Sequence, residues 1–226
     1  MRKMIIILFI FLNMGILKGQ DLSSGLIIND MANHPMQAIN KPAYLNTIVD
    51  PSFGTVIRRI TDAGQGNIIV PLYSTIQPWN ADESYLIVFD QTNDNHLLLD
   101  GMNYTYIRTL NDIAPDDDEQ LFWSHTDPDI LFYIDDLTDE LIRYHISTQV
   151  KDIIVNLATI AGTGSYVTAG NDVMMQSWSD DVWGFRTSEN PLDVYSYTIS
   201  SNSVVQFSLD ANNPSENYYA PMPGPS

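Results

Sequence analysis

A phrase that occurs three times constrains the fold of this chain more than any other feature. Each copy consists of a tryptophan, a polar turn that contains carboxylates, and an apolar run of strand length; the tryptophans are Trp79, Trp123 and Trp178. Their spacings, 44 and 55 residues by their numbers, fit four short strands and the turns between them. The sequence therefore predicts an all-β fold built from one repeated, four-stranded antiparallel unit.

The predicted strands follow the same order in each copy, because apolar runs alternate with turns rich in Asp, Thr and Ser. They are 75–79, 85–89, 96–99 and 105–110 in the first copy, 120–124, 130–134, 141–146 and 152–157 in the second, and 174–178, 182–186, 194–199 and 204–207 in the third. A second internal match joins Tyr144–Gln149 to Tyr197–Asn202 with an offset of 53 residues, and we interpret it as support for the same register.

The three repeated tryptophans are expected to belong to the core. A large apolar ring suits the wedge between neighbouring units, where it would be buried on both faces. Stacking against a sugar is the alternative role for such a ring. The prediction is that Trp79, Trp123 and Trp178 occupy equivalent buried positions.

The first twenty residues are typical of a secretory signal peptide. Arg2 and Lys3 precede an apolar run from Ile5 to Leu17, which is followed by Lys18-Gly19-Gln20. This run is shorter than the about 20 residues that a helix needs to cross a bilayer. We therefore expect residues 1–20 to be a signal peptide, with a secreted or periplasmic location and no stable membrane anchor. The chain has no cysteine, so disulfides cannot stabilise it.

Three further regions are predicted after the signal peptide. Residues 21–54 contain scattered Pro and Asn without a hydrophobic period, and we interpret them as an N-terminal extension. Residues 55–210 hold the repeats, and they begin with Val56–Thr61, a β-branched run that is predicted to be a lone strand. Residues 211–226 form a Pro-rich loop, which we interpret as a truncation point.

The composition favours a packed, acidic protein. Hydrophobic residues make up 44% of the chain, whereas charged residues make up 17%, a balance that disordered segments do not have. The 28 acidic and 10 basic side chains give a formal net charge of −18. Such a charge opposes binding to phosphate backbones, so we exclude nucleic acid as a partner.

The repeated phrase resembles the blades of TolB-like β-propellers. The segments 50–61 and 73–82 are similar to those of exported bacterial propellers related to oligogalacturonate lyases. The resemblance implies a β-propeller of four-stranded antiparallel blades, with about three blades present, an incomplete ring, and a chain that is the N-terminal part of a larger protein. One departure is that Glu83-Ser84, Asp127-Pro128 and Asp180-Asp181 stand where an Asp-Gly pair is usual. Because these pairs lack glycine, we expect turns of a different type.

Acidic loops are expected at the end of the propeller where the blades are joined. The best candidate for a metal site is the run Asp116, Asp117, Asp118 and Glu119, because calcium and similar cations prefer carboxylate oxygens. A divalent cation, calcium or manganese, is therefore a candidate cofactor, and a solvated charge run is the alternative. The other carboxylates assigned to this rim are Asp90, Asp94, Asp135, Asp136, Asp139, Glu140, Glu189 and Asp193.

Three functions remain open from the sequence. The first is an exported propeller that binds a glycan or a protein through its acidic loop face, without catalysis. The second is a polysaccharide (uronate) lyase of the oligogalacturonate type, which would act by β-elimination and would need Arg or a metal, His and Tyr. The third is a structural or assembly protein that uses an open blade flank. The catalytic residues are unassigned, because the family's histidines cannot be matched to His34, His96, His125 or His145.

Overall fold

The computed structural model describes residues 29, 31–32, 35–118, 120–162, 167–168, 175–187 and 193–208. Almost all regular structure in these ranges is β. A two-stranded hairpin comes first, β1 (Thr47–Val49) and β2 (Val56–Arg58). The predicted signal peptide and the Pro-rich loop 211–226 lie outside the described residues, as do His34, Glu119 and Glu189.

Three antiparallel sheets follow the hairpin, and each is one blade. Blade 1 contains β3 (Ile69–Val70), β4 (Tyr85–Asp90), β5 (Asn95–Asp100) and β6 (Tyr106–Thr109). Blade 2 contains β7 (Phe122–Trp123), β8 (Ile130–Ile134), β9 (Glu140–His145) and β10 (Val150–Asn156), and a one-turn helix, α1 (Leu157–Ile160), follows it. Blade 3 contains β11 (Val167–Thr168), β12 (Met175–Gln176), β13 (Val182–Thr187), β14 (Asp193–Thr198) and β15 (Ser203–Ser208). The predicted all-β architecture of four-stranded antiparallel blades is confirmed.

The second strand of each blade forms the centre of the core. Every residue of β8 is buried, and in β4 all residues after Tyr85 are buried. A strand buried on both faces is apolar throughout rather than alternating, which is why these runs were easy to recognise. Trp183 on β13 is fully buried and meets the ring of Phe122 edge-on at 5.5 Å. Among the described residues, no helix is long and apolar enough to cross a membrane.

The innermost strand of each blade is split into two pieces. In blade 1, Ile69–Val70 and a single bridge at Trp79 both pair with β4. In blade 2, Pro115 forms a bridge with Asp135, directly after the end of β8, and strand β7 pairs with β8. In blade 3 both β11 and β12 pair with β13. The predicted first strand 75–79 is therefore wrong except at its last residue. The intervening segment leaves the sheet because it places Leu72 and Ile76 in the core.

The strand predicted at Val56–Thr61 is not alone. Its residues 56–58 pair with Thr47–Val49, a segment that was assigned to the N-terminal extension. Asp50 closes the turn between them, since its Oδ1 accepts hydrogen bonds from the backbone N–H groups of Ser52 and Phe53. Such Asx turns give little hydrophobic signal, which is why the hairpin was missed.

The hydrogen-bond register shows that the three repeated tryptophans are not equivalent. The backbone N–H groups of Asn80, Ser124 and Ser177 each donate to the carbonyl that begins the second strand of their blade. The residues immediately before them are Trp79, Trp123 and Gln176. Trp178 lies two positions further on, so its predicted equivalence is wrong. The offset of 53 residues from the second internal match was the correct register, and the 55 between the tryptophans was not.

Candidate functional site

A cleft of about 420 Å³ opens where the first-to-second-strand turns of the three blades meet. This volume lies within the range of roughly 300 to 1,000 Å³ that small-molecule sites occupy. Aromatic residues of blades 1 to 3 line it: Trp79, Phe122, Trp123, His125 and Trp178. The cleft is therefore a mainly apolar concavity, and its aromatic surface comes from all three described blades.

Trp178 is the most exposed of the tryptophan rings that line the cleft. Its relative exposure is 72%, whereas that of Trp123 is 4%. The ring of Trp178 lies against His125, with the ring centroids 4.5 Å apart and the planes tilted by 39°. The prediction that Trp178 is a core residue is wrong, because its position in the turn directs it away from the blade interface. One face of an aromatic pair is thus presented to the cleft.

The side chain of Asp180 holds the two turns that carry this pair. Its Oδ2 accepts hydrogen bonds from Ser124 Oγ at 2.6 Å and Thr126 Oγ1 at 2.8 Å. Its Oδ1 accepts them from the backbone N–H of His125 at 2.9 Å and from Gln176 Nε2 at 2.8 Å. Burial alone would raise the pKa of Asp180, but these four hydrogen bonds outweigh it and hold the pKa below its ordinary value. An ionised carboxylate therefore fixes blade 2 to blade 3 directly beside the aromatic pair.

Gln176 stands where a third equivalent tryptophan would be expected, and it keeps the tryptophan's role as a hydrogen-bond donor to the preceding blade. Trp123 donates its Nε1–H to the carbonyl of Pro78 in the preceding blade at 2.9 Å. Gln176 donates its Nε2–H to the carbonyl of Trp123 in the preceding blade at 3.1 Å. In blades 2 and 3 this position thus supplies an N–H donor that reaches the preceding blade, and both a tryptophan and a glutamine can provide one.

Glu83 is placed in the cleft by an unusual backbone conformation. Its φ is +60°, and the equivalent Asp180 has a φ of +62°. Both residues adopt the left-handed conformation for which glycine is the usual choice. In blades 1 and 3 the left-handed residue is therefore the first member of the pair, and the turn type stays a prediction. A Cβ added at Gly101 would lie 2.0 Å from the carbonyl oxygen of Glu83, so the absence of a side chain at Gly101 allows this turn to form.

The polar side chains that line the cleft differ in whether they already form hydrogen bonds with other protein groups. Asn80 uses its amide for Ser84 Oγ, the carbonyl of Pro128 and the backbone N–H of Tyr85. The exposed side chains of Thr75 and Gln77 also line the cleft, and no described residue forms a hydrogen bond with either. No lysine or arginine is among the described lining residues. The cleft thus offers aromatic surface, one carboxylate and uncommitted neutral polar groups.

The acidic run predicted as a metal site lies elsewhere, beside a groove of about 390 Å³ that Asp94, His96, Asp118 and Asp136 line. His96 is buried and its Nε2 lies 2.6 Å from the carbonyl oxygen of Asp118. Burial lowers the pKa of His96, although Asp118 and Asp94 oppose this effect. Burial and the nearby Asp94 raise the pKa of Asp118. The imidazole is therefore a neutral donor that fixes the blade-connecting loop.

No group of three or more metal-ligating side chains comes together within the described part of the chain. Of the predicted run, Asp116 donates its N–H to the carbonyl of Ile134, Asp117 accepts a hydrogen bond from Gln120, and Glu119 lies outside the described residues. The calcium or manganese site therefore stays a prediction, and no chemical step is derived from it. Two other rim carboxylates hold their own turns: Asp90 caps Thr92 and Asn93, and Asp135 caps Leu137 and Thr138.

Comparison with solved structures identifies the architecture. An oligogalacturonate lyase solved with manganese superposes with a TM-score of 0.54 at 18% identity, and the match covers 71% of this chain and 46% of that one. An oligogalacturonate lyase from Vibrio parahaemolyticus gives a TM-score of 0.51 at 16% identity, with the same coverage of both chains. The described sheets are blades of a β-propeller. No protein-family model matches the sequence, and no curated protein does.

The extent of this likeness limits what it shows. Identities of 16% to 18% establish the propeller fold, and the chain spans less than half the length of the lyases it matches. The expected resemblance to propellers related to oligogalacturonate lyases is confirmed at the level of structure. The residues that carry this propeller's function must be argued from its own surface.

A second polar groove of the propeller lies between blades 2 and 3. It is about 320 Å³ in volume, and both Arg143 and His145 line it. The Nε2 of His145 is 3.1 Å from Asp152, and its Nδ1 is 3.6 Å from Asp129. Arg143 lies over the ring of Phe132 at 5.8 Å. Arg143 and His145 lie two positions apart on β9, so their side chains share one face of the strand, and that face lines the groove.

Proposed function

We propose that this protein is an exported carbohydrate-binding propeller and that the cleft at Trp178 holds a sugar ring. The observation that carries the proposal is the exposed Trp178 ring, packed on His125 beside a concavity that three blades enclose. The C–H faces of a pyranose are apolar and flat, so they gain by covering such a ring. Glu83, Thr75 and Gln77 stand at the edge of the cleft, where they can bond the hydroxyls at the rim of the sugar.

The cleft favours a glycan over a protein partner because of its size and shape. Protein interfaces bury about 800 Å² on each partner, over 20 to 30 residues. The lining of this cleft is a small concave surface with convergent polar groups, which is the usual form of a small-ligand site. The proposal also moves the binding site from the acidic loop end to the opposite end of the blades. An extracytoplasmic location, proposed from residues 1–20, would bring the cleft into contact with free polysaccharide.

Calorimetric titration against a panel of oligosaccharides tests this proposal. Trp178→Ala should weaken binding at least about tenfold, which corresponds to ~1.4 kcal/mol. Leu137→Ala is the control, because Leu137 is 85% exposed in the turn that connects β8 and β9 and does not line the cleft. Equal affinities for the unmodified protein and the Trp178→Ala variant would rule out the cleft as the binding site.

A uronate lyase is the second candidate, and the groove between blades 2 and 3 favours it. A histidine held between two carboxylates has the surroundings of a general base, and Arg143 could neutralise a substrate carboxylate. β-Elimination gives an unsaturated product that absorbs in the ultraviolet. Product should form from pectin, alginate or ulvan oligomers and be lost in His145→Ala but not in Leu137→Ala. Absence of the unsaturated product, both with and without calcium or manganese, would rule out the uronate lyase function.

A further inference from the structure

We propose that the cleft at Trp178 selects neutral glycans and discriminates against uronates, a specificity that rests on the proposed function. The proposal concerns charge, since the aromatic surface alone would accept either kind of sugar. It assigns to Glu83 the role of a specificity residue. The discrimination follows from what lines the cleft and from where the cations of the chain are placed.

The cleft has no described cation with which to receive a carboxylate. The described arginines lie outside the cleft, and each either contacts another side chain or is buried. Arg58 lies over Tyr104, Arg59 pairs with Asp62, Arg108 donates a hydrogen bond to Tyr144, Arg143 lies over Phe132, and Arg186 is buried. Neither Lys41 nor Lys151 lines the cleft. A uronate bound here would therefore lose solvation of its charge and gain no ion pair.

Two carboxylates make the cleft repulsive to a second negative charge. Glu83 lines it directly, and its exposed side chain places a carboxylate at the surface of the cleft. Asp180 is buried behind the aromatic pair, and all of its hydrogen bonds come from protein donors. Because no cation accompanies either group among the described lining residues, the potential at the cleft is negative.

The same carboxylate of Glu83 favours a neutral sugar. An ionised carboxylate is purely an acceptor, and it can take hydrogen bonds from two adjacent hydroxyls. The left-handed conformation at Glu83 fixes the direction in which the side chain leaves the turn, and Gly101 packs against the backbone of that turn. Acceptance of hydroxyls and rejection of carboxylates are thus two effects of one side chain.

The test uses matched ligand pairs that differ only in charge. Uronate oligomers from pectin and alginate are compared with their carboxyl-reduced forms, alongside neutral hexose and pentose oligomers, by calorimetric titration of the full chain. We expect a neutral oligomer to bind most tightly, and each reduced form to bind at least about tenfold more tightly than its uronate. Raising the salt concentration from about 20 mM to about 300 mM should lower the ratio of these two affinities, because salt screens the repulsion between the uronate and the carboxylates at the cleft.

Glu83→Gln provides the residue-level test. This variant should reduce the ratio between a neutral oligomer and its uronate to about threefold or less, whereas Asp62→Asn, which removes an exposed carboxylate outside the cleft, should leave it unchanged. Uronates that bind as tightly as their reduced forms would overturn the specificity and leave the binding function intact. Failure of every neutral and acidic oligomer to bind would overturn the proposed function itself.

Discussion

Asp180 is the residue on which the geometry of the cleft depends. It accepts four hydrogen bonds from two neighbouring blades, and it does so from a left-handed backbone conformation. Hydrogen bonds to a charged group contribute more than neutral ones, about 1.5 to 3 kcal/mol each. We infer that Asp180 stabilises the blade interface and, through it, the position of His125 under Trp178.

Asp180→Asn should lower the free energy of unfolding by about 2 kcal/mol or more, because an amide cannot accept from donors on both of its sides. The effect should also depend on pH. Since the pKa of Asp180 is lowered in the folded protein, its contribution is present above the ordinary value of 3.8 and is lost as the pH falls through the lower folded value. Urea unfolding of both proteins between about pH 3 and pH 7 measures this difference. A difference that stayed constant over this range would contradict the role given to the charge.

Residue identity was a weaker guide than backbone register. The sequence shows a tryptophan near the same place in each repeat, and this suggested one buried role for all three. The offset of 53 residues between the Tyr-containing matches disagreed with the 55 between Trp123 and Trp178, and that disagreement was the available signal. The exposure of Trp178 and its contact with His125 depend on a two-residue shift within a turn, which periodicity does not resolve.

At the scale of the elements, the turns between first and second strands are as constrained as the strands. In blade 1 the turn passes so close to the end of β5 that the backbone of Glu83 lies against Gly101. The N–H of Gly101 donates to the carbonyl of Ser84 at 2.8 Å, and its carbonyl accepts from Trp79 Nε1 at 3.2 Å. Gly101 therefore joins the turn, the outer hairpin and a lining residue of the cleft.

Gly101→Ala should destabilise the fold by about 2 to 3 kcal/mol, because its Cβ would overlap backbone atoms that cannot rotate away. It should also weaken ligand binding, since the turn that carries Glu83 must move. Gly64→Ala is the matched control: its Cβ would meet Asn67 at an ordinary 3.7 Å. Thermal and urea unfolding of the two variants provide the comparison. Equal stability of the two would show that the turn is not packed as described.

Second and third strands could be predicted closely, whereas first strands could not. The prediction 130–134 coincides with β8, and 85–89 differs from β4 by one residue, because both are continuous apolar runs bounded by turns. In blade 1 the first strand consists of two short pieces, and the loop between them buries its own apolar residues Leu72 and Ile76. An apolar segment in such a loop has the same composition as a strand, so its pairing cannot be inferred from the sequence alone.

For the molecule as a whole, net charge is the dominant electrostatic property. The formal charge of −18 leaves many carboxylates without a cation, and the long-range repulsion between them opposes the compact state. Asp90 and Asp135 cap their own turns, a role that the sequence alone does not distinguish from metal binding. The blade architecture was predictable from the repeat, but the cleft arises where turns of three blades converge and has no sequence signature of its own.

Raising the salt concentration from about 20 mM to about 300 mM should increase the melting temperature by a few degrees, because counterions screen the repulsion. Sodium chloride is the appropriate salt, and differential scanning calorimetry gives the melting temperature directly. A melting temperature that falls with salt would show that attractive ion pairs outweigh the net repulsion.

The most direct test of this account is NMR observation of the four tryptophan indole N–H groups. Trp79, Trp123 and Trp183 donate theirs to backbone carbonyls, whereas no described residue accepts one from Trp178. We expect one rapidly exchanging indole signal, which disappears in Trp178→Phe and shifts most when a neutral oligosaccharide is added. Four protected indoles, or a ligand-induced shift confined to another tryptophan, would contradict it.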